Sequence, residues 1–327
     1  MKEQFNYINK EGKLIYGDML FDSIETIEGN YSVVKKDKKY NYIDKIGEYI
    51  SDVWFDYVYN FKEGFGRVEL NRKWNYINEE GEYISDVWFD SIWNFEEGFA
   101  VVEKNRKYNY INEEGEYISD KWFDSAKNFK NGFGSVELNK KWNYINEEGE
   151  YISDVWFDYV YNFKEGFGSV ELNKKWNYIN EEGKLLSEDW FDGIWDFEEG
   201  WAIVKKDKKY NYINEEGKYI SDVWFDSAKN FKNGFGRVYM NGKWNYINQN
   251  GEYISKNWFE YAFAFENGFA IVKNGDKYNC VDKDEKLLSE EWFDDYRIDN
   301  GNIKIKLNDE WKYPDKKIKK KTRYDEI

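Results

Sequence analysis

The chain has 327 residues, 41% of them hydrophobic, 21% aromatic and 34% charged, which excludes an intrinsically disordered protein. With no histidine and a single cysteine it has no internal disulfide framework, and it lacks the commonest general base, the commonest zinc ligand and every histidine-paired nucleophile. Its net charge of −16 turns it away from nucleic acid and anionic lipid, and no apolar run approaches the ~20 residues that a membrane-spanning helix needs.

Met1-Lys2-Glu3-Gln4 leads straight into Phe5-Asn6-Tyr7 without a signal or transit peptide, so cytoplasmic residence is the expectation. The Phe5 triplet returns as Tyr40-Asn41-Tyr42 and Trp74-Asn75-Tyr76, then from Tyr108, Trp142, Trp176, Tyr210, Trp244, Tyr278 and Trp311. The step is 34 residues from Tyr40 to Tyr278, 35 before and 33 after. A second marker keeps the same step: Leu20-Phe21-Asp22, Trp54-Phe55-Asp56, Trp88-Phe89-Asp90 and onward to Trp292-Phe293-Asp294, with Glu260 in the Trp258 copy. The extra residue therefore falls between Phe5 and Leu20, and the missing one between Trp292 and Trp311. No linker interrupts the period, so residues 1–315 read as one tandem array with irregular ends.

One repeat, from Trp54 to Asp86, alternates apolar residues at Phe55, Tyr57, Tyr59 and Phe61, again at Gly66, Val68 and Leu70, and again at Trp74 and Tyr76. A period of two belongs to strands. Lys62-Glu63-Gly64, Asn71-Arg72 and Glu79-Glu80-Gly81 supply turns, the last before Tyr83-Ile84-Ser85, which predicts four short strands per repeat. The middle turn recurs as Asp37-Lys38, Asn105-Arg106, Asn139-Lys140, Asn173-Lys174, Asp207-Lys208, Asn241-Gly242, Gly275-Asp276 and Asn308-Asp309. These pairs predict a two-residue hairpin with positive φ, although a non-glycine second residue carries a cost.

Counting back from Asn241-Gly242 sets Tyr239 opposite Trp244, Arg237 opposite Tyr246, Phe235 opposite Asn248, Val238 opposite Asn245 and Gly236 opposite Ile247. Gly or Ala recurs at Gly66, Ala100, Gly134, Gly168, Ala202, Gly236 and Ala270, which is expected where another backbone comes close. A longer period of 102 residues is superposed: Asp56-Tyr57-Val58-Tyr59-Asn60 returns at Asp158, and Asp124-Ser125-Ala126-Lys127-Asn128 at Asp226. It reads as a duplicated block of three repeats, or as a superhelix with about three repeats per turn.

Cys280 replaces the tyrosine of the motif in Asn279-Cys280-Val281 and reads as a buried core position. Asp56 and its equivalents are expected to bond backbone at a corner, and the Glu79-Glu80 pairs to be solvated. Weak calcium binding by stacked acidic turns is the other reading, but a calcium loop wants alternating oxygen ligands and these turns give a contiguous pair. No metal and no cofactor is expected. The Lys316–Ile327 tail holds six basic and two acidic residues, a net +4, so the preceding 315 residues carry −20. It reads as a solvated terminus.

Trp74, Tyr76, Ile77, Gly81, Phe89-Asp90, Phe95, Glu97-Gly98-Phe99-Ala100 and Val102 together resemble the repeat of the WG-repeat family of bacterial proteins, over essentially the whole chain. Two positions depart from that pattern: Asn75 and its equivalents stand where the family has Gly after Trp, and Asn usually follows Ile where the family has Asp, which Asp44 keeps. The resemblance implies an interaction module and brings no catalytic site.

The expectation is an all-β array of about nine 34-residue repeats of four short antiparallel strands. An open solenoid is favoured over a closed propeller, because nine repeats exceed the usual four to eight blades and 34 residues is short for a blade. The function expected is non-enzymatic: a scaffold binding a protein partner through an extended acidic, aromatic-rich surface. The alternatives are aromatic cages for carbohydrate or a quaternary amine, and a carboxylate-only hydrolase. Candidate binding residues are the variable positions Tyr59, Trp93, Lys127, Tyr161, Trp195, Lys229 and Phe263, which differ between repeats while their flanks do not.

Overall fold

A computed structural model of the chain describes residues 20–26, 31–266, 268–283, 287, 289–299 and 302–313. The Phe5 motif, the long first step and the basic tail lie outside the described residues. The chain gathers into two compact bodies, Met1–Val170 with Glu181–Lys184, and Glu171–Asn180 with Leu185–Ile327. The same small sheet is repeated within each.

Among the described residues there is no helix, and the strands form three-stranded antiparallel sheets in chain order, nine in all. In one of them Tyr57–Lys62 pairs with Phe65–Leu70, which pairs with Lys73–Ile77. The hairpin joining the last two strands is the predicted one. Asn71 and Arg72 have φ of 54° and 63°, and Asn241 and Gly242 of 51° and 82°. The pairs Tyr239 with Trp244, Arg237 with Tyr246, Phe235 with Asn248, Val238 with Asn245 and Gly236 with Ile247 all form.

A clamp holds these turns, those without glycine included. The Asp56 carboxylate accepts the Asn71 N–H at 2.7 Å, and Asp90, Asp124, Asp207's partner Asp192 and Asp226 repeat the bond one copy at a time. The other oxygen of each carboxylate takes a lysine from the preceding repeat: Lys73 on Asp90, Lys107 on Asp124, Lys175 on Asp192, Lys209 on Asp226 and Lys277 on Asp294. The corner role expected for these aspartates is thus found, with an inter-repeat ion pair added to it. The lysine ammonium first, and the turn N–H second, hold the Asp56, Asp90, Asp124 and Asp226 carboxyls below their ordinary value.

The fourth predicted strand is reduced to bridges. Tyr83 pairs only with Ile77, and Phe89 only with Trp74. Beyond the Ile84 N–H bond to the Tyr76 carbonyl, the segment is held by Asn75, the residue that departs from the family pattern. Its side-chain amide donates to the Ser85 carbonyl at 2.7 Å, and its oxygen accepts the Tyr76 N–H at 2.8 Å. A side chain therefore does at Ser85 what a ladder bond would have done. The same pair of bonds recurs at Asn41, Asn109, Asn143, Asn177, Asn211, Asn245 and Asn279. All of these asparagines are fully buried and satisfied, the condition for burying an amide at low cost.

Alternation also fails on the third strand, where Asn75, Tyr76 and Ile77 are buried in succession. Neighbouring repeats cover both faces of the sheet. Phe55, Val58, Val68 and Ile77 pack with Tyr42 of the repeat before, and Phe89, Ile92, Phe95 and Ala100 pack with Tyr76. Each fully buried aromatic or aliphatic side chain of this kind stabilises by roughly 1.5–3 kcal/mol.

The recurrent small residue has a more specific cause than a close backbone. A Cβ on Gly66 would lie 2.7 Å from the Tyr42 hydroxyl and 2.9 Å from the Phe61 ring, and Gly134 and Gly236 stand against Tyr110 and Tyr212 in the same way. Backbone approach does occur at another glycine: Gly81, at φ 86°, sits against the Ile50 carbonyl of the preceding repeat with no room for a side chain.

Candidate functional site

The seven variable residues occupy one structural position, the third residue of a long first strand or the residue just beyond a short one. In repeats where that strand is long, as in Tyr57–Lys62, Ser125–Lys130 and Ser227–Lys232, pairing slips by one residue immediately after the variable position. Elsewhere the strand stops at two residues, as in Ser91–Ile92 and Gly193–Ile194. A bulge or an early stop turns the side chain at this point out of the sheet.

What does not vary is one bond to the backbone. The buried tyrosine of the preceding repeat donates its hydroxyl to the main-chain carbonyl of every one of these residues: Tyr42 to Tyr59, Tyr76 to Trp93, Tyr110 to Lys127, Tyr144 to Tyr161, Tyr178 to Trp195, Tyr212 to Lys229 and Tyr246 to Phe263. Burial pushes these tyrosine hydroxyls far above their ordinary value, so they remain donors at any physiological pH. The fixed bond is to the backbone, which leaves the side chain free to differ.

Most of the side chains reach the surface. Tyr59, Trp93, Tyr161 and Trp195 are exposed, as is Lys229, whereas Lys127 and Phe263 are half-buried. Each aromatic one leans on the next motif ring or its neighbours: Tyr59 stacks on Trp74 at 5.5 Å, Trp93 lies 5.9 Å from Tyr108, Trp195 lies 5.8 Å from Tyr210, and Phe263 meets Tyr261 at 4.7 Å. Tyr161 meets Tyr159 at 4.9 Å. Each repeat contributes one of them.

Cations between these rings were not singled out by the sequence. Arg67 lies 4.0 Å above the Tyr59 ring and donates to the Ile92 carbonyl of the next repeat at 3.2 Å. Arg237 donates to the Ala262 carbonyl at 2.9 Å, and Lys127 to the Val160 carbonyl at 3.1 Å. Three equivalent edge carbonyls are thus capped, two by arginine from the second strand and one by lysine from the variable position. The missed signal was pairwise: Tyr59 with Arg67, Lys127 with Ser135, and Lys229 with Arg237 face one another across the strands.

Within the second body, two variable residues border a cavity of about 520 Å³ between successive repeats, lined among others by Trp195, Glu198, Tyr210, Lys229, Asn230 and Arg237. No group of three or more His, Cys, Asp or Glu side chains among the described residues is placed to hold a metal ion. Glu79 and Glu80 are exposed, as expected of the acidic turns. No helix among the described residues is long and apolar enough to cross a membrane.

The family model described as WG containing repeat matches eight times in tandem, at residues 7–40, 42–74, 76–108, 110–142, 144–176, 178–210, 212–244 and 246–278. The chain belongs to the WG-repeat family. Its WG repeats carry Asn in place of the glycine, and the buried, doubly bonded Asn75 shows how that residue is accommodated. No curated protein gives a match. Among solved structures the WG-repeat chain is similar to a eukaryotic initiation factor, at 12% identity over 90% of this chain and 96% of the other, with a TM-score of 0.34. Kluyveromyces lactis Hsv2 gives 10% identity over 81% and 96%, TM-score 0.30, and BamB from Moraxella catarrhalis 10% over 70% and 80%, TM-score 0.28. At these TM-scores the similarity assigns neither shape nor function to the WG repeats.

Proposed function

We propose that the protein is a non-enzymatic scaffold, an open β-solenoid of WG repeats that binds a protein partner along its row of variable side chains. The observation that carries this reading is the constant hydroxyl-to-carbonyl bond beneath seven side chains that change from Tyr to Trp, Lys and Phe. A backbone anchor that stays constant while side chains vary suits a recognition surface on a repeat array. Exposed Tyr and Trp are the residue types that most often carry interface energy. The body of the chain is acidic, so a partner with a basic face is favoured by charge.

The fourth strand of each repeat belongs to the same proposal: the Tyr83-Ile84-Ser85 segment, tied by Asn75, serves as a side-chain-bonded strand that closes each turn of the array. Small-angle scattering tests the shape, since a long rod fits the solenoid and a compact disc contradicts it. Affinity capture with the full chain, read by mass spectrometry, tests the function. A stable partner lost on changing Tyr59, Trp93 and Tyr161 to serine supports the scaffold, and a partner retained by that variant contradicts it.

A further inference from the structure

The two copies of the 102-residue block differ at a place where the difference matters. In the first copy the Lys127 ammonium is folded down over its own scaffold, 4.5 Å from the Trp142 ring centre and 4.1 Å from that of Tyr159, and bonded to the Val160 carbonyl. Its equivalent 102 residues later is Lys229. There the corresponding carbonyl, Ala262, is capped by Arg237, which stands where the first copy has Ser135. The corresponding indole, Trp244, is covered by Tyr239 at 5.0 Å, where the first copy has Glu137. Two of the lysine's three seats are thus filled by other groups, and the third, Tyr261 in place of Tyr159, meets Phe263 at 4.7 Å. Lys229 is exposed, lines the cavity and has no side-chain partner among the described residues.

The cavity around it has a definite chemistry. Trp195 is 41% exposed, with Tyr210 tilted against it at 5.8 Å. Asn230 donates to one oxygen of the exposed Glu198 carboxylate at 2.6 Å, which leaves the second oxygen able to accept from a hydroxyl. Lys232, also on the lining, is neutralised by Glu266 at 2.9 Å. Lys229 and Arg237 against Glu198 then leave one net positive charge. A ring platform, hydroxyl acceptors and one spare cation are complementary to a sugar ring bearing one carboxylate. A quaternary amine is disfavoured by the two cations, and a dianionic phosphate by Glu198.

We propose that this cavity of the second body binds a hexuronate residue of an acidic saccharide, its carboxylate on Lys229 and its ring on Trp195. The site takes in Trp195 and Lys229 of the variable row, whereas the partner-binding test uses Tyr59, Trp93 and Tyr161, so the two readings fail independently.

The test is calorimetric titration of the full chain with a uronic acid trisaccharide, the neutral hexose trisaccharide and an acidic peptide. Saturable binding of the uronate at one site per chain, weaker by roughly 10-fold or more for the neutral sugar and for Lys229→Ala, is expected. The swap Arg237→Ser with Tyr239→Glu should weaken binding at least as much as Lys229→Ala, because it removes the Arg237 cation from the lining and lets Lys229 fold onto Ala262 and Trp244. The opposite swap, Ser135→Arg with Glu137→Tyr, should free Lys127 and raise the stoichiometry to two. Circular dichroism confirms that each variant is folded. Equal binding of the neutral sugar, tighter binding of the acidic peptide, or indifference to both Lys229→Ala and the swaps overturns the proposal.

Discussion

Ile303 of the last described sheet shares a core cluster with Cys280 of the sheet before it, and the two stand at the positions that hold Gly66 and Tyr42 in an earlier repeat. Where Tyr42 is present, a Cβ at Gly66 would lie 2.7 Å from its hydroxyl. Where the tyrosine has become Cys280, the vacated volume is filled by the isoleucine, and both residues are buried. The pair is a volume exchange across a repeat boundary.

Cys280→Tyr alone should therefore destabilise, by about 1–3 kcal/mol from overpacking against Ile303. Cys280→Tyr with Ile303→Gly should recover most of that loss, since it restores the arrangement of the other repeats. A double-mutant cycle in urea measures the coupling, and additive effects would contradict the exchange. Burial also pushes the Cys280 thiol well above its ordinary value, so it should be inert to thiol reagents in the native protein at neutral pH.

Asn75 predicts a second outcome. Asn75→Leu removes the donor to the Ser85 carbonyl and the acceptor of the Tyr76 N–H inside a buried site. The cost expected is about 1–3 kcal/mol for each group left unpaired, read as a lower thermal midpoint. Asn75→Gly, the residue usual in WG repeats, should cost less wherever water or a backbone shift satisfies the same groups.

The aspartate corners predict acid sensitivity. The folded values of Asp56, Asp90, Asp124, Asp192, Asp226 and Asp294 are depressed, each chiefly by its lysine. Their contribution is complete above the ordinary value near 3.8 and is lost as pH falls through the lower folded values. The urea midpoint should drop between neutral pH and ~3, and more steeply in low salt, because these pairs are about one-third exposed or more and salt screens them. A midpoint that does not move over this range would contradict the role given to the corners.

Much of this was legible from residue spacing. The 34-residue step, the Asn241-Gly242 hairpin and its register follow from local chemistry, since a turn with two positive φ values fixes which residues face each other. The missing residue of the last step was placed between Trp292 and Trp311. The structure narrows it to the first hairpin there: Asp295–Asp299 pairs with Asn302–Leu307 without the slip seen after Tyr59, so what was lost is the bulge residue. The three-strand sheet was not legible, because Tyr83 alternates like a strand residue while the bond that replaces its ladder comes from the Asn75 side chain.

The variable positions were found from their variation, but their common feature was not, because a carbonyl leaves no mark on the sequence. Nor was the interplay of Lys229 and Arg237, whose capping target lies in the following repeat. Contacts between repeats escape a reading that treats each repeat by itself.

The hydroxyl beneath each variable residue gives the next prediction. Tyr110→Phe leaves the Lys127 and Ser135 carbonyls without their buried donor, which it reaches at 2.6 and 3.0 Å. A loss of about 1–3 kcal/mol is expected. Hydrogen exchange should rise locally around Lys127, and unchanged stability would show that the bond does not hold the position.

The central claim is that variable side chains recognise a partner while the backbone beneath them is held by a constant bond. The most direct measurement is capture by the native chain and by a variant carrying Tyr59→Ser, Trp93→Ser and Tyr161→Ser, with the thermal midpoint of both recorded. The account predicts a midpoint changed by only a few degrees and loss of the captured partner. Retention of the same partner by the folded variant would contradict it.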